Sequence, residues 1–301
     1  MAAKIIDGEK LAEEIKASLK PEIADLKAKG WPARLASILV GENRGAIIYT
    51  NRQKASCEEI GIEYELVKLP ETTTQDELAA KIADLNSDKS VAGIILQMPL
   101  PEDINARQMS DLIAPQKDVE GTSSANLGQL FFYEPPDLIP CTAAAAFELA
   151  RATIGELKGV EAVVVGHSPI VGKPVACLLT NALATTQICH IGTRDLRSHT
   201  VEAELLIIAA GKAGLITEEI VKPGAVVIDV GINRVKVLDE AGEPVLNDKG
   251  RPKMKTVGDV DYESVKEVAG AITPVPGGVG PVTVAMLLRN TVRAAKAQAA
   301  V

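Results

Sequence analysis

The segment IIYTNRQKAS, residues 47–56, places a phenol, a guanidinium, an amide and an amine in one short stretch. On a helix each residue advances about 100°, so Gln53, four residues after Tyr49, stands almost directly above it. Arg52 is the other neighbour, and Lys54 points roughly 140° away. A cleft lined by Tyr49 is therefore faced by a neutral amide rather than an amine. Glutamine donates and accepts hydrogen bonds but cannot titrate. It can orient a ligand for hydride transfer, where geometry supplies most of the rate and the cofactor carries the chemistry. It cannot pass the proton that a hydrolytic step needs, a service often worth about 10²–10⁴-fold.

A second constellation is VVVGHSPIVGKP, with Gly166 at the end of an apolar stretch and Gly172 opening a helical one. Ser168 stands where a dinucleotide loop usually has its second glycine. The pattern fits a strand that turns sharply to bring a phosphate to a helix N-terminus, and it also fits an ordinary βα turn. Two later apolar stretches end in small residues, AAG (209–211) and DVGIN (229–233). Ligands bind at the strand C-termini of open parallel sheets, which favours the dinucleotide reading. TPVPGGVGPVT, 273–283, carries three prolines, three glycines and three valines before a final helical pattern. It reads as a rigid, shaped loop near a ligand rather than a polar linker.

The elements that must hold these residues alternate. Helices are predicted over 9–29, with a kink or restart at Pro21, and over 45–60, 73–88, 142–154 and 281–298. Strands are predicted over 34–41, 63–69, 91–101, 185–192, 204–211 and 224–233, and 235–256 reads as a hairpin or excursion. This is an α/β protein of two domains, the second a Rossmann-type domain with a parallel sheet. The 301 residues suffice for that, and a net charge of −8 with 3% aromatics argues against a nucleic-acid partner. There is no apolar run long enough to span a bilayer and no apolar core of a signal peptide, so a cytoplasmic location is expected. Four cysteines without metal-like spacing read as small buried thiols, and three histidines give no metal site.

PVPGGVGP, VVVGHSPIVGKP, DVGIN, IILQMPLP, QKDVEGT and VGENRGAIIYT occur in one order across nearly the whole chain. Together they resemble the methylenetetrahydrofolate dehydrogenase/cyclohydrolase family. The resemblance implies a folate-binding catalytic domain over 1–140, completed by the C-terminal helix within 281–301, and an NAD(P)-binding Rossmann-type domain over 141–280. It implies folate in the cleft between them, a homodimer, and oxidation of methylene- to methenyl-tetrahydrofolate with NADP or NAD. Many members then hydrolyse the product to formyl-tetrahydrofolate. Carried over by position, Tyr49 lies near the pterin, Gln97 beside the catalytic lysine, and Thr142 near the nicotinamide. Gly166, His167, Ser168, Ile170, Gly172, Gly211 and Ile232 fall at cofactor contacts, and Pro276, Gly277 and Gly278 border folate.

The departures gather around one pocket. The lysine four residues after the tyrosine is Gln53, the pterin-binding aspartate is Glu120, and the serine three before the tyrosine is Ala46. PCTP reads PCTA, with Ala143. With Tyr49, Gln53, Gln97 and Glu120 as the catalytic set, the expectation is a dehydrogenase whose cyclohydrolase activity is weak or absent. The alternatives are a bifunctional enzyme with Lys54 or Glu120 replacing the lysine, and a folate-binding regulatory protein without catalysis. NADP is expected over NAD, because Thr193, Arg194 and Arg197 supply hydroxyl and cationic groups for an extra phosphate.

Overall fold

The computed structural model describes residues 2–31, 33–132, 138–239, 242–248 and 250–300. In chain order the elements are β1 (Lys4–Ile5), α1 (Gly8–Ala28), β2 (Arg34–Val40), α2 (Arg44–Ile60), β3 (Glu63–Leu69), α3 (Gln75–Ser87), β4 (Gly93–Leu96), α4 (Ala106–Leu112) and α5 (Ser124–Gln129). There follow α6 (Cys141–Ile154), β5 (Glu161–Val165), α7 (Gly172–Asn181), β6 (Thr185–Cys189), α8 (Arg197–Thr200), β7 (Leu205–Ile208) and β8 (Val226–Asp229). The chain closes with β9 (Asn233–Lys236), β10 (Met254–Val257), α9 (Tyr262–Val265), β11 (Ala271–Ile272) and α10 (Val279–Ala299).

The chain divides into two units, Leu11–Cys141 with Thr283–Val301, and Met1–Lys10 with Thr142–Val282. The first ten residues thus differ from the expected division. The reason is β1, which pairs in parallel with β11, Lys4 opposite Ala271, and so belongs to the larger sheet.

In the first unit β2 lies between β3 and β4, all parallel. Six of the seven β2 residues are buried, as an apolar run covered on both faces requires. Ile38, Val40, Leu78, Ile82, Ile94 and Leu96 share one core. Thr74 and Glu77 close a capping box on α3, and Gly61 ends α2 at φ 88°. The strand expected over 91–101 stops at Leu96, because Pro99 and Pro101 cannot donate to a ladder. Pro21 lies inside a single α1 rather than dividing it.

In the second unit six parallel strands run in the order β1-β11-β8-β7-β5-β6. This is a Rossmann-type sheet, with β5 between β7 and the edge strand β6, and α7 following β5 in the chain. Val163, Val165, Leu206, Ile208, Val227 and Ile272 pack one face. The excursion expected over 235–256 is bounded by the antiparallel pair β9 and β10. β6, β7 and β8 end before the predicted stretches do, and the small residues left over form loops at one edge.

α10 is fastened within the first unit by Asn290, whose Nδ2 donates to Val119 O at 2.8 Å and Ile139 O at 2.9 Å. The side chain is 1% exposed. Asn290→Leu keeps the volume but removes the donor to Ile139 O and leaves Val119 O only the weak Cys141 thiol, at a cost of about 2 kcal/mol. Urea or thermal denaturation should show that loss, and an unchanged midpoint would contradict it.

Candidate active site

The first unit brings Tyr49, Gln53, Gln97 and Glu120 into electrostatic or hydrogen-bond contact. Asn43 caps α2 by accepting from Ala46 N at 3.1 Å, which sets the helix rotation. Tyr49 is then partly exposed, Gln53 fully buried, and Lys54 exposed beside Glu58 at 3.7 Å. Lys54 therefore lies away from the buried Gln53 side chain.

Gln97, in the loop that β4 opens, is held by its backbone N donating to Ile38 O at 2.9 Å. Its Nε2 donates to Ser37 Oγ and to Gln53 Oε1, both at 2.9 Å. Tyr64 Oη on β3 also donates to Gln53 Oε1, at 3.2 Å. Gln53 Nε2, by contrast, is buried without a hydrogen-bond partner among the described residues. Burial pushes the Tyr49 phenol well up, and Cys141 and Glu120 add to the rise, while the Gln53 amide opposes it. Tyr49 is thus a neutral hydroxyl at any physiological pH.

Glu120 sits in a loop built by Asp118. The Asp118 carboxylate accepts from Gly121 N at 3.0 Å, Ser123 N at 2.7 Å and Asn126 Nδ2 at 2.9 Å. Glu120 O accepts from Cys141 N at 3.2 Å, and Cys141 Sγ lies against Val119 O at 3.3 Å. Desolvation, helped by Asp118, raises the Glu120 carboxyl to about 7. Burial likewise keeps the Cys141 thiol protonated.

In the second unit β8, β7, β5 and β6 are parallel neighbours, so the loops after them gather at one end of the sheet. A Cβ on Gly166 would stand 2.2 Å from Ala209 O, and one on Gly172 would stand 2.1 Å from Gly166 O. Gly166 also has φ +132°, so both positions exclude a side chain. Ser168 Oγ accepts from Val171 N at 3.1 Å and Gly172 N at 3.4 Å, which rounds the turn into α7. His167 and Ile170 are exposed on this loop. Such a bare floor at a helix N-terminus fits a pyrophosphate.

After β6, His190 N donates to Thr193 Oγ1 at 2.9 Å, and the His190 and His167 rings lie 5.0 Å apart. Arg194 is exposed on the same turn. Asp259 accepts from Ala210 N at 2.7 Å, Gly211 N at 2.8 Å and Asn233 Nδ2 at 2.8 Å, so it fixes the loops after β7 and β8. Ile232 projects there, 71% exposed. Thr142 lies in the first turn of α6. Gly277 and Gly278 crowd the start of α1, where a Cβ on Gly8 would meet Gly278 O at 1.8 Å.

Sequence reasoning missed Ser37, Tyr64, Asp118, Cys141, Asn290 and Asp259. Ser37 is the one polar residue within the apolar run of β2 after its first position, and that break was a readable signal. Tyr64 gave none, because its partner is set by strand pairing. Among the described residues no His, Cys, Asp and Glu group could hold a metal ion, and no helix is long and apolar enough to cross a membrane.

Residues 6–120 match the catalytic domain, and residues 140–299 the NAD(P)-binding domain, of tetrahydrofolate dehydrogenase/cyclohydrolase. The chain is 47% identical to the bifunctional protein FolD of Moorella thermoacetica, over 98% of this chain and all of that one. The bifunctional FolD methylenetetrahydrofolate dehydrogenase/cyclohydrolase of Campylobacter jejuni is 43% identical, with TM-score 0.90 over 98% of this chain and 99% of that one. The Trypanosoma brucei methylenetetrahydrofolate dehydrogenase-cyclohydrolase, complexed with NADP cofactor and inhibitor, is 35% identical, with TM-score 0.89 over 99% and 98%. The chain belongs to the tetrahydrofolate dehydrogenase/cyclohydrolase family.

Folding moves the Glu120 carboxyl from 4.5 to about 7, so the folded chain holds this proton more tightly than the unfolded one. That contribution to stability is full below pH about 4.5 and is lost as pH rises through about 7. Glu120→Gln cannot ionise, so its stability relative to the parent should rise between pH about 5 and about 8. Thermal melts of both proteins at the two pH values measure this, and a constant difference would refute the shift.

Proposed function

We propose that this member of the tetrahydrofolate dehydrogenase/cyclohydrolase family oxidises methylene-tetrahydrofolate to methenyl-tetrahydrofolate with NADP, and hydrolyses the product weakly or not at all. The observation that carries the second half is Gln53. It is buried, shares hydrogen bonds with Gln97 and Tyr64, and occupies the Tyr49 face where a titratable group would be needed. The first half is supported by family membership and by the side-chain-free floor at Gly166 and Gly172.

In this reading Gly166, Ser168 and Gly172 shape the turn that takes the pyrophosphate, and Arg194 with Thr193 receives the extra phosphate of NADP. The bound nicotinamide supplies the hydride acceptor. Thr142, Gly211 and Ile232 border the cofactor. Tyr49, Gln97 and Gln53 orient folate, Glu120 accepts from its amino edge, and Pro276, Gly277 and Gly278 border it. Oxidation releases a hydride and asks no acid or base of these residues. Hydrolysis adds water and must deliver a proton to a ring nitrogen, which neither a glutamine amide nor the strongly shifted Tyr49 phenol does efficiently. The same reading makes the protein a cytoplasmic homodimer, which light scattering checks.

A second reading, full bifunctionality, is favoured by the bifunctional names of the relatives and by Glu120. A carboxyl raised to about 7 is half-ionised near neutrality and suits a general acid or base.

Purified protein should reduce NADP with methylene-tetrahydrofolate and, given methenyl-tetrahydrofolate alone, hydrolyse it no faster than buffer does. No cofactor reduction by folded protein would refute the dehydrogenase. Gln53→Lys should raise hydrolysis by about 10²-fold. Hydrolysis by the parent well above buffer, abolished in Glu120→Gln, would establish the second reading. Arg194→Ala should weaken NADP about ten-fold and leave NAD unchanged, as loss of one charge-assisted contact to phosphate predicts. Equal affinities in titration calorimetry would remove Arg194 from that role.

A further inference from the structure

Ser37, Gln53, Tyr64 and Gln97, from four places in the chain, form one hydrogen-bonded cluster. Gln97 Nε2 bridges Ser37 Oγ and Gln53 Oε1, both at 2.9 Å, and Tyr64 Oη reaches the same Oε1 at 3.2 Å. Ser37 also lies against Tyr64 and favours its ionised form, though burial dominates and pushes that phenol to about 12. Ser37 and Gln53 are 0% exposed and Gln97 is 3% exposed. With both donors on Oε1, the Gln53 NH2 lies on the side of Tyr49, whose ionised form the amide favours. There Nε2 is buried and has no hydrogen-bond partner among the described residues. A buried donor without an acceptor costs about 1–3 kcal/mol. An acceptor atom from a ligand in the Tyr49 pocket would remove that cost.

We propose that Tyr64 is a positioning residue for this site. With Gln97 it locks the Gln53 amide so that NH2 faces the Tyr49 pocket and donates to a carbonyl oxygen or an unprotonated ring nitrogen of the bound molecule. Under the reading above, on which this rests, that molecule is the folate substrate, and the neutral amide keeps a donor where no ammonium stands. Tyr64 acts through Gln53 and does not touch the ligand. Glutamine alone would not suffice, because a free amide turns over and presents oxygen as readily as nitrogen.

Tyr64→Phe keeps the ring and removes only the hydroxyl. It should raise KM for methylene-tetrahydrofolate about five-fold with kcat within about two-fold, the scale of one weakened hydrogen bond. In a Gln53→Met background it should change KM no further, since the two act as a unit. An equal rise in both backgrounds would show that Tyr64 acts by another route and overturn the proposal. Gln53→Glu, which puts oxygen in place of NH2, should raise KM more than Tyr64→Phe does. A parental KM in Gln53→Glu would mean that an acceptor faces the ligand, and would also overturn it. A readout independent of catalysis is the Gln53 side-chain amide resonance in ¹⁵N-labelled protein, identified by its absence from Gln53→Met. Tyr64→Phe should shift it, and an unmoved resonance refutes the lock even if the protein proves not to be a dehydrogenase.

Discussion

One amide holds the first unit's site together. Gln97 leaves the end of β4, fixed by its own backbone bond to Ile38, and its side chain reaches the middle strand at Ser37 and the helix at Gln53. Buried polar groups in a low-dielectric interior are costly unless paired, so this contact ties α2 to β4 and β2. Tyr49, one turn earlier on α2, takes its place as a consequence. The opposite face of the helix, with Lys54 and Glu58, is left to water. The residue types at this junction bear on what chemistry the pocket can support, and under the proposed reading its amides favour orientation over proton transfer.

The second unit solves a different problem with a similar economy of parts. Its loops must come close to a ligand, so glycines clear the floor, and the loops must still be ordered. Asp259 does that ordering by binding the backbone after β7 and the Asn233 side chain after β8. Asp229 in turn accepts from Gly231, Asp259 and Val260 backbone amides, with burial holding its carboxyl up at about 6. Two buried carboxylates thus stand behind loops that carry little side-chain chemistry of their own.

Periodicity made most of the elements legible. The continuous apolar run of 34–40, the Thr-capped helix at 75–87 and the strand–glycine–helix at 161–181 all follow from spacing that physics constrains locally. The two-residue strands β1 and β11 were not legible, since two residues carry no period. At the site, the shared face of Tyr49 and Gln53 and the turn of Lys54 away from it could be read from helical angle, but the burial of Gln53 could not. The environment of Glu120 could not. Its raised carboxyl depends on burial and on Asp118, and burial of one side chain is a sum over distant segments. Tyr64 shows the same limit, because its hydroxyl meets Gln53 only after β3 pairs with β2.

The connection between the units has a consequence for biosynthesis. The chain leaves the second unit after Lys10, builds Leu11–Cys141, returns for Thr142–Val282, and comes back with Thr283–Val301. On the ribosome, then, the first unit waits. Its strands β2, β3 and β4 are made early, yet the helix that caps Val119 and Ile139 through Asn290 emerges only after the entire nucleotide-binding sheet. The segment that contains Tyr49 must therefore persist as an incomplete body through most of translation. Stop codons late in the message would damage the part of the protein that was synthesised first.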